Sequence, residues 1–318
     1  MTPVAAAAAP ARQLAVLGHP IAHSKSPLIH RAAYRELGLD WKYRAIRCGE
    51  ESLAALLAGR GPEWRGFSVT MPLKDEAYRS AVSLDPVAVE SGVVNTLLRV
   101  DDEAMASAAH AGMAHAETSR AAAPQWAGFN TDVAGLARAI AGAGLDATRT
   151  IVLGAGATSG SAVLAARSLG AEHITVMARR LTAATEITRR FAGTPGVTGA
   201  PLEMAAAELL PAATPVTPEE AAAPGSPTLV ISTLPGHGVD WSGLAVPAGV
   251  APLFDVAYSP WPSHGAQTWR AAGGTAHSGI DMLVEQALVQ VRIFVMGSPT
   301  ATLPNEARVL QAMREAAA

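Results

Sequence analysis

The sequence predicts an α/β protein of two domains, and three observations carry that prediction. Short apolar runs rich in β-branched residues alternate with stretches of helical periodicity from Gln13 onward. A strand, a Gly-x-Gly turn and an alanine-rich helix follow one another over residues 150–169. A chain of 318 residues is also long enough for two units of ordinary size, each burying its own core.

In chain order, residues 14–17 read as a strand, 28–37 as a helix, 43–46 as a strand and 52–57 as a helix. Residues 67–69 then read as a strand and 74–82 as a helix. This alternation predicts βαβ units and a mostly parallel sheet. Residues 93–100 add a strand, whereas 101–125, rich in alanine and histidine and without an apolar period, read as an inserted loop. Thr131 is placed to cap a helix over 133–143, broken by Gly142 and Gly144, which links the two domains. Beyond it, residues 150–153, 173–177, 228–232 and 252–256 read as strands, with a helix over 162–169. The Ala/Pro-rich residues 192–226 have no assignable pattern. Met282, Leu283, Leu288, Val289 and Ile293 recur at helical spacing, and Pro304 starts a last helix. Residues 1–11 are alanine-rich without a basic start, and read as a disordered tail.

Composition narrows the function. Hydrophobic residues at 49% against 16% charged describe a globular chain. A net charge of −3 leaves no basic stripe to neutralise phosphates, which argues against a nucleic-acid partner. No uninterrupted apolar run approaches the ~18 residues of a bilayer span, so no membrane role and a cytoplasmic location are expected. Cys48 is the single cysteine, which excludes an intrachain disulfide and a thiolate-rich zinc site. The nine histidines form no His-Glu-x-x-His pattern, and no metal is expected.

The chemistry begins at Gly154-Ala155-Gly156-Ala157-Thr158-Ser159. A Gly-x-Gly turn between strand and helix brings backbone N–H groups to a pyrophosphate, whose charge the helix N-terminus favours. The next strand ends about 20 residues after the first glycine, beside the adenine ribose. There stand Arg179 and Arg180. A carboxylate would accept from a free 2′-hydroxyl; a guanidinium fork suits a 2′-phosphate, so the cofactor is read as NADP.

In the first half, Ser24 and Ser26 stand where a strand ends and a helix begins, a place that suits a carboxylate. Lys74 lies just beyond a strand's carboxyl end, Asn95 adds an amide, and Asp132 adds a carboxylate at the start of the linking helix. Each alone reads more simply as a helix cap or a solvated lysine.

Taken together, Ser24-Lys-Ser26-Pro27, Val69-Thr70-Met-Pro-Leu-Lys74, Val94-Asn95-Thr96, Asn130-Thr131-Asp132, Gly154-Ala-Gly156, Asp255-Val-Ala-Tyr258 and Gly279-Ile-Asp-Met-Leu-Val-Glu-Gln286 resemble the shikimate dehydrogenase family from about residue 14 to residue 288. The resemblance implies NADP-dependent, reversible reduction of 3-dehydroshikimate to shikimate. It also implies an α/β substrate domain and a Rossmann-like cofactor domain separated by a cleft. Ser24, Ser26 and Tyr258 would meet the substrate carboxylate, and Thr70, Lys74, Asn95, Asp132 and Gln286 the ring hydroxyls. Lys74 and Asp132 would be catalytic, while Val256, Tyr258 and Gly279 would flank the nicotinamide; for Val256 plain packing serves equally well. Because Gln286 lies on the C-terminal helix, the substrate domain would be discontinuous, 12–130 completed by 278–318, around a cofactor domain at 131–277. A monomer or homodimer is expected.

The chain departs from the family pattern in several places. Ala178 and Ala183 stand where the family has an Asn and a second basic residue, and Ser68 where it has Asn. Ser263-His264-Gly265 represents Thr-Pro-Leu, and the 101–125 insertion is longer than usual. Two alternatives are a quinate/shikimate dehydrogenase using NAD, which Arg179 and Arg180 argue against, and a non-catalytic NADP-binding regulator, which the retention of Lys74 and Asp132 argues against.

Overall fold

The computed structural model describes residues 11–49, 52–100, 114–115, 124–209, 225–235, 241 and 251–318. All of the expected tail but residue 11, and most of the insertion at 101–125, lie outside them. The chain divides into two compact units, Met1–Thr131 with Ala287–Ala318, and Asp132–Gln286. Residues 278–286, assigned from the sequence to the first domain, group here with the second unit.

The first unit holds a seven-stranded sheet in the order β2-β1-β3-β5-β7-β4-β6. Its strands are β1 Gln13–Gly18, β2 Lys42–Arg47, β3 Trp64–Val69, β4 Ser83–Leu84, β5 Thr96–Val100, β6 Ala114–His115 and β7 Gln125–Phe129. β1 is buried from Leu14 onward and pairs in parallel with β2 and β3, as expected of a strand covered on both faces. β3, β5 and β7 pair antiparallel, and β4 pairs in parallel with β7. On edge strand β2 only Tyr43 is buried, and exposed Lys42, Arg44 and Arg47 keep the edge from pairing further. Helices α1 (Ser26–Glu36), α2 (Leu53–Ala58), α3 (Lys74–Ser80) and α4 (Pro86–Ser91) follow β1, β2, β3 and β4. Leu17, Leu57, Trp64, Phe67, Leu73, Leu97 and Trp126 belong to a core cluster between the sheet and α2, α3 and α4.

The second unit is built on a six-stranded sheet, parallel throughout, ordered β10-β9-β8-β11-β12-β13. The strands are β8 Arg149–Leu153, β9 His173–Ala178, β10 Glu203–Glu208, β11 Leu229–Ser232, β12 Leu253–Asp255 and β13 Ala276–Ser278. Numbered within the unit this is the doubly wound order 3-2-1-4-5-6, whose direction reverses between β8 and β11, where such sheets take their ligands. The linking helix α5 (Asp132–Gly142) packs on α6 (Ala157–Ser168), which is buried from Ser159 to Ala166. Its Gly160, Ser161, Ala162, Ala165 and Ala166 are small enough to bring the helix close to the sheet. Helix α7 (Leu181–Phe191) follows β9, and α8 (His264–Ala271) follows β12.

Helix α9 (Ile280–Met296) is continuous across the unit boundary, giving residues 280–286 to the second unit and 287–296 to the first. The closing helix α10 (Glu306–Ala317) packs along α1. Lys25 Nζ donates to the Ala317 carbonyl at 2.6 Å, so the ammonium sits at the negative end of α10.

Candidate functional site

In the first unit, the parallel pairing of β1 with β3 sets their carboxyl ends side by side. The chain approaches itself there so closely that a Cβ on Gly18 would lie 2.5 Å from Thr70 Cγ2 and 2.9 Å from the Met71 carbonyl. Thr70 N–H donates to the Leu17 carbonyl at 2.9 Å and His19 N–H to the Met71 carbonyl at 3.0 Å. The loop leading to Ser24 and Ser26 thus starts against the loop leading to Lys74. Ser26 is buried at the start of α1, its N–H facing Ser24 Oγ at 3.3 Å, and Ser24 is half-buried. Lys74 is the first residue of α3, half-buried, and its carbonyl accepts from Val94 N–H at 3.2 Å. That bond ties the lysine's backbone to the segment carrying Asn95.

Asn95 is buried and heavily held. Its Oδ1 accepts from Thr131 N–H at 2.9 Å and from Thr96 Oγ1 at 2.8 Å, and its Nδ2 donates to Thr131 Oγ1 at 2.9 Å. Behind it lies a run of buried polar side chains: Gln290, Ser68, Tyr43, His30 and Tyr34. Burial holds the His30 imidazolium down, with its pKa lowered to about 3 against the support of Gln290, and pushes the Tyr43 phenol up.

The turn before Asp132 is fixed by a residue the sequence did not single out. Asp85 caps α4, accepting from Ala88 N–H at 2.8 Å and from Asn130 N–H at 3.2 Å. Burial raises its pKa to about 6, opposed by those N–H groups. Asn130 Nδ2 donates to Ser91 Oγ at 2.7 Å, a second tie between the turn and α4.

Asp132 and Gln286 belong to the second unit, both buried, at 5% and 7% exposure. Asp132 opens α5, and Gln286 lies on α9 with its Nε2 donating to the Leu283 carbonyl at 2.9 Å. The two helices meet where Gly135 abuts Gln286.

The glycine turn of the second unit does two different jobs. Gly154 adopts φ +111°, and a Cβ there would lie 2.4 Å from Thr233 Oγ1, so this position is closed to other residues by conformation and by contact. Gly156 is exposed, and a Cβ on it would meet no atom of the described residues within 4 Å. Its missing side chain leaves backbone bare at the N-terminus of α6, as close approach of a pyrophosphate requires. Gly156 N–H donates to Ser159 Oγ at 3.1 Å, and Ser159 Oγ contacts Thr233 Oγ1 at 2.8 Å, which donates to the Leu153 carbonyl at 2.9 Å. Ala155, Ala157 and Thr158 are half-buried around the same turn.

Arg179 and Arg180 are exposed at the end of β9, with Arg180 at the N-cap of α7. Val256 and Tyr258 are half-buried after β12. A Cβ on Gly279 would lie 2.1 Å from the Val256 carbonyl, and Gly279 N–H donates to the Ala257 carbonyl at 3.2 Å. Asp255 anchors the loop between: it accepts from Ala257 N–H at 3.2 Å and from Ser263 Oγ at 2.5 Å, while Ser263 caps α8 through Ala266 N–H. The hydroxyl in Ser263-His264-Gly265 is what gives this loop its packing. The residues present fit a dinucleotide: the N-terminus of α6, with no side chain on Gly156, for the pyrophosphate, and guanidinium groups at the end of β9 for a 2′-phosphate.

Comparison with known proteins agrees with this geometry. A family model described as the shikimate dehydrogenase substrate binding domain matches residues 16–97. The shikimate dehydrogenase (NADP(+)) of Anaeromyxobacter dehalogenans is 34% identical over 302 residues, 93% of this chain and 95% of that protein. The enzyme of the same name from Thermus thermophilus is 30% identical over 306 residues, 96% of this chain and 98% of its own length. Among solved structures, Mycobacterium tuberculosis shikimate dehydrogenase superposes with a TM-score of 0.69 at 32% identity, covering 95% of this chain and 98% of that one. Thermus thermophilus shikimate 5-dehydrogenase in complex with NADP(H) and shikimate gives 0.69 at 26% identity, covering 96% and 99%. The chain belongs to the shikimate dehydrogenase family.

Proposed function

We propose that this chain catalyses the NADP-dependent, reversible reduction of 3-dehydroshikimate to shikimate, a step in aromatic amino-acid biosynthesis. The observation that carries the reading is the pairing of β1 with β3, which brings the loops of Ser24, Ser26, Thr70 and Lys74 together inside the segment matched as a substrate-binding domain. Residues 12–130 with the C-terminal helices serve the substrate, and the doubly wound unit serves the cofactor.

Ser24, Ser26 and Tyr258 take the substrate carboxylate through hydroxyl donors. Thr70, Lys74, Asn95, Asp132 and Gln286 take the ring hydroxyls. Gly154 to Ser159 present the N-terminus of α6 to the pyrophosphate, Arg179 and Arg180 take the 2′-phosphate, and Val256 and Gly279 flank the nicotinamide. NADPH, when bound, supplies the hydride. As the ketone carbon accepts it, negative charge gathers on the ketone oxygen, where an ammonium at Lys74 stabilises the alkoxide and a proton must be delivered. Asp132 orients that ammonium and completes the acid–base pair.

The partners are small molecules, the compartment is the cytoplasm, and the chain works as a monomer or homodimer. Among the described residues no helix is long and apolar enough to cross a membrane. Steady-state oxidation of shikimate and quinate, each with NADP and with NAD, tests the reading: shikimate with NADP is expected to give the highest kcat/KM. Preference for quinate with NAD overturns it.

A further inference from the structure

The buried polar run behind Asn95 can be read atom by atom, because backbone groups with a single hydrogen-bonding role fix both of its ends. Thr131 N–H only donates, so the Asn95 amide atom 2.9 Å from it is Oδ1. The Asn95 carbonyl only accepts, so the Gln290 atom 3.4 Å from it is Nε2. Everything between follows. Gln290 Nε2 also donates to Thr96 Oγ1 at 3.0 Å, and Thr96 O–H in turn donates to Asn95 Oδ1 at 2.8 Å. Gln290 Oε1 therefore faces Ser68 Oγ at 2.6 Å and His30 Nε2 at 3.2 Å, so both donate to it. Ser68 accepts from Tyr43 O–H at 2.6 Å, and His30, neutral with its proton on Nε2, accepts at Nδ1 from Tyr34 O–H at 3.2 Å. His30 is held further by stacking on Tyr43, with centroids 4.0 Å apart and planes within 8°.

We propose that Gln290 is a positioning residue for the substrate, acting through Thr96 to hold the Asn95 amide in the orientation that Thr131 N–H selects and a substrate hydroxyl meets. The proposal rests on the substrate role of Asn95 given above. Asn95 Oδ1 accepts from Thr131 N–H and Thr96 O–H while its Nδ2 donates to Thr131 Oγ1 at 2.9 Å, so the amide is held with Nδ2 as its donor edge, the edge through which the proposed role toward a substrate oxygen runs. Gln290 has no contact of its own to offer substrate. It is 2% exposed, and its side-chain amide hydrogen-bonds with His30, Ser68, Thr96 and the Asn95 backbone. The network also accounts for Ser68 standing where the family pattern has an asparagine. A serine hydroxyl donates to Gln290 Oε1 while accepting from Tyr43, so the carboxamide at the centre of this network comes from α9.

Two single variants and their combination test this: Gln290→Met, which keeps volume and removes both amide functions, and Asn95→Ala. Gln290→Met is expected to raise the KM for shikimate roughly tenfold, as loss of a buried hydrogen-bonded positioning contact does, with the KM for NADP unchanged. In the Asn95→Ala background the same substitution is expected to add nothing further, because its effect runs through Asn95. An additive effect in the double variant, or a parallel rise in the KM for NADP, overturns the proposal, since general loosening would produce either. A raised KM in Asn95→Ala beside a wild-type KM in Gln290→Met refutes the proposal alone. A wild-type KM in Asn95→Ala refutes the substrate role of Asn95 and the proposal with it. Should Gln290→Met not fold, Thr96→Val cuts the same relay at its other node and carries the same expectations.

Discussion

Gly135 and Gln286 are in backbone contact: a Cβ on Gly135 would lie 2.5 Å from Gln286 Cβ and 2.7 Å from its backbone nitrogen. The crossing of α5 and α9 therefore depends on a hydrogen in place of a side chain, one turn from Asp132 on one helix and at Gln286 itself on the other.

Helix propensity and packing make opposite predictions for Gly135→Ala, which decides between them. Propensity alone would stabilise the helix by up to about 1 kcal/mol. Forcing a methyl group into backbone costs about 1–3 kcal/mol and displaces Gln286. A lower urea midpoint and a higher KM for shikimate are expected, and a more stable variant with wild-type kinetics would show that the helices separate without consequence.

Lys74→Ala is expected to lower kcat by roughly 10² to 10⁴, the range for loss of a general acid or base, with KM for shikimate affected less. Single-turnover hydride transfer is the measurement. Unchanged turnover removes the lysine from the chemistry.

Arg179 and Arg180 are exposed, so their replacement leaves the core intact. The double change to alanine is expected to raise the KM for NADP by tenfold or more, roughly the worth of one or two charge-assisted hydrogen bonds, while the KM for NAD stays put. Equal KM shifts for the two cofactors would mean that the guanidinium groups do not read the 2′-phosphate.

Two buried groups give stability opposite dependences on pH. His30 titrates at about 3 in the folded chain against 6.5 in the unfolded one, so the unfolded chain binds the extra proton in that window and stability falls as pH drops through it. Asp85 titrates at about 6 against 3.8, so the folded chain holds the proton and stability falls as pH rises through that window. Tyr34 and Tyr43, the titratable neighbours of His30, stay neutral throughout, their pKa values raised by burial. Denaturant melts from pH 4 to 6 are therefore expected to show the His30→Gln variant gaining on wild type as pH falls, by up to about 1.4 kcal/mol per pH unit. Asp85→Asn is expected to gain as pH rises. Parallel curves would mean that neither group changes its protonation on unfolding.

Much of the second unit was legible because its signals are local. Apolar β-branched runs, a glycine turn and an alanine helix announce themselves within 20 residues at 150–169. The helix begins at Ala157, earlier than the apolar pattern, because Gly156 and Ser159 supply its first turn. β10, with the sequence EMAAAE, carries no strand signal of its own and exists through its ladder with β9. β7 follows the insertion and was not foreseen, since its pairing with β5 is a matter of topology. The residues proposed to meet the substrate were legible only as residue types, Thr70 and Lys74 beyond the end of β3 and Ser26, Asp132 and Gln286 on helices. Asp85 and Gln290 were not, because one reads as a helix cap and the other as one more residue of an amphipathic helix, and their partners lie 45 and 195 residues away.

Gln290 also bears on how the chain is made. His30, Ser68 and Thr96 are synthesised long before it, and their bonds to its carboxamide must wait until the ribosome has delivered α9, after the whole doubly wound unit. The amino-terminal sheet emerges first and is finished last, and a fragment ending at Thr131 would leave three polar side chains without the glutamine they share.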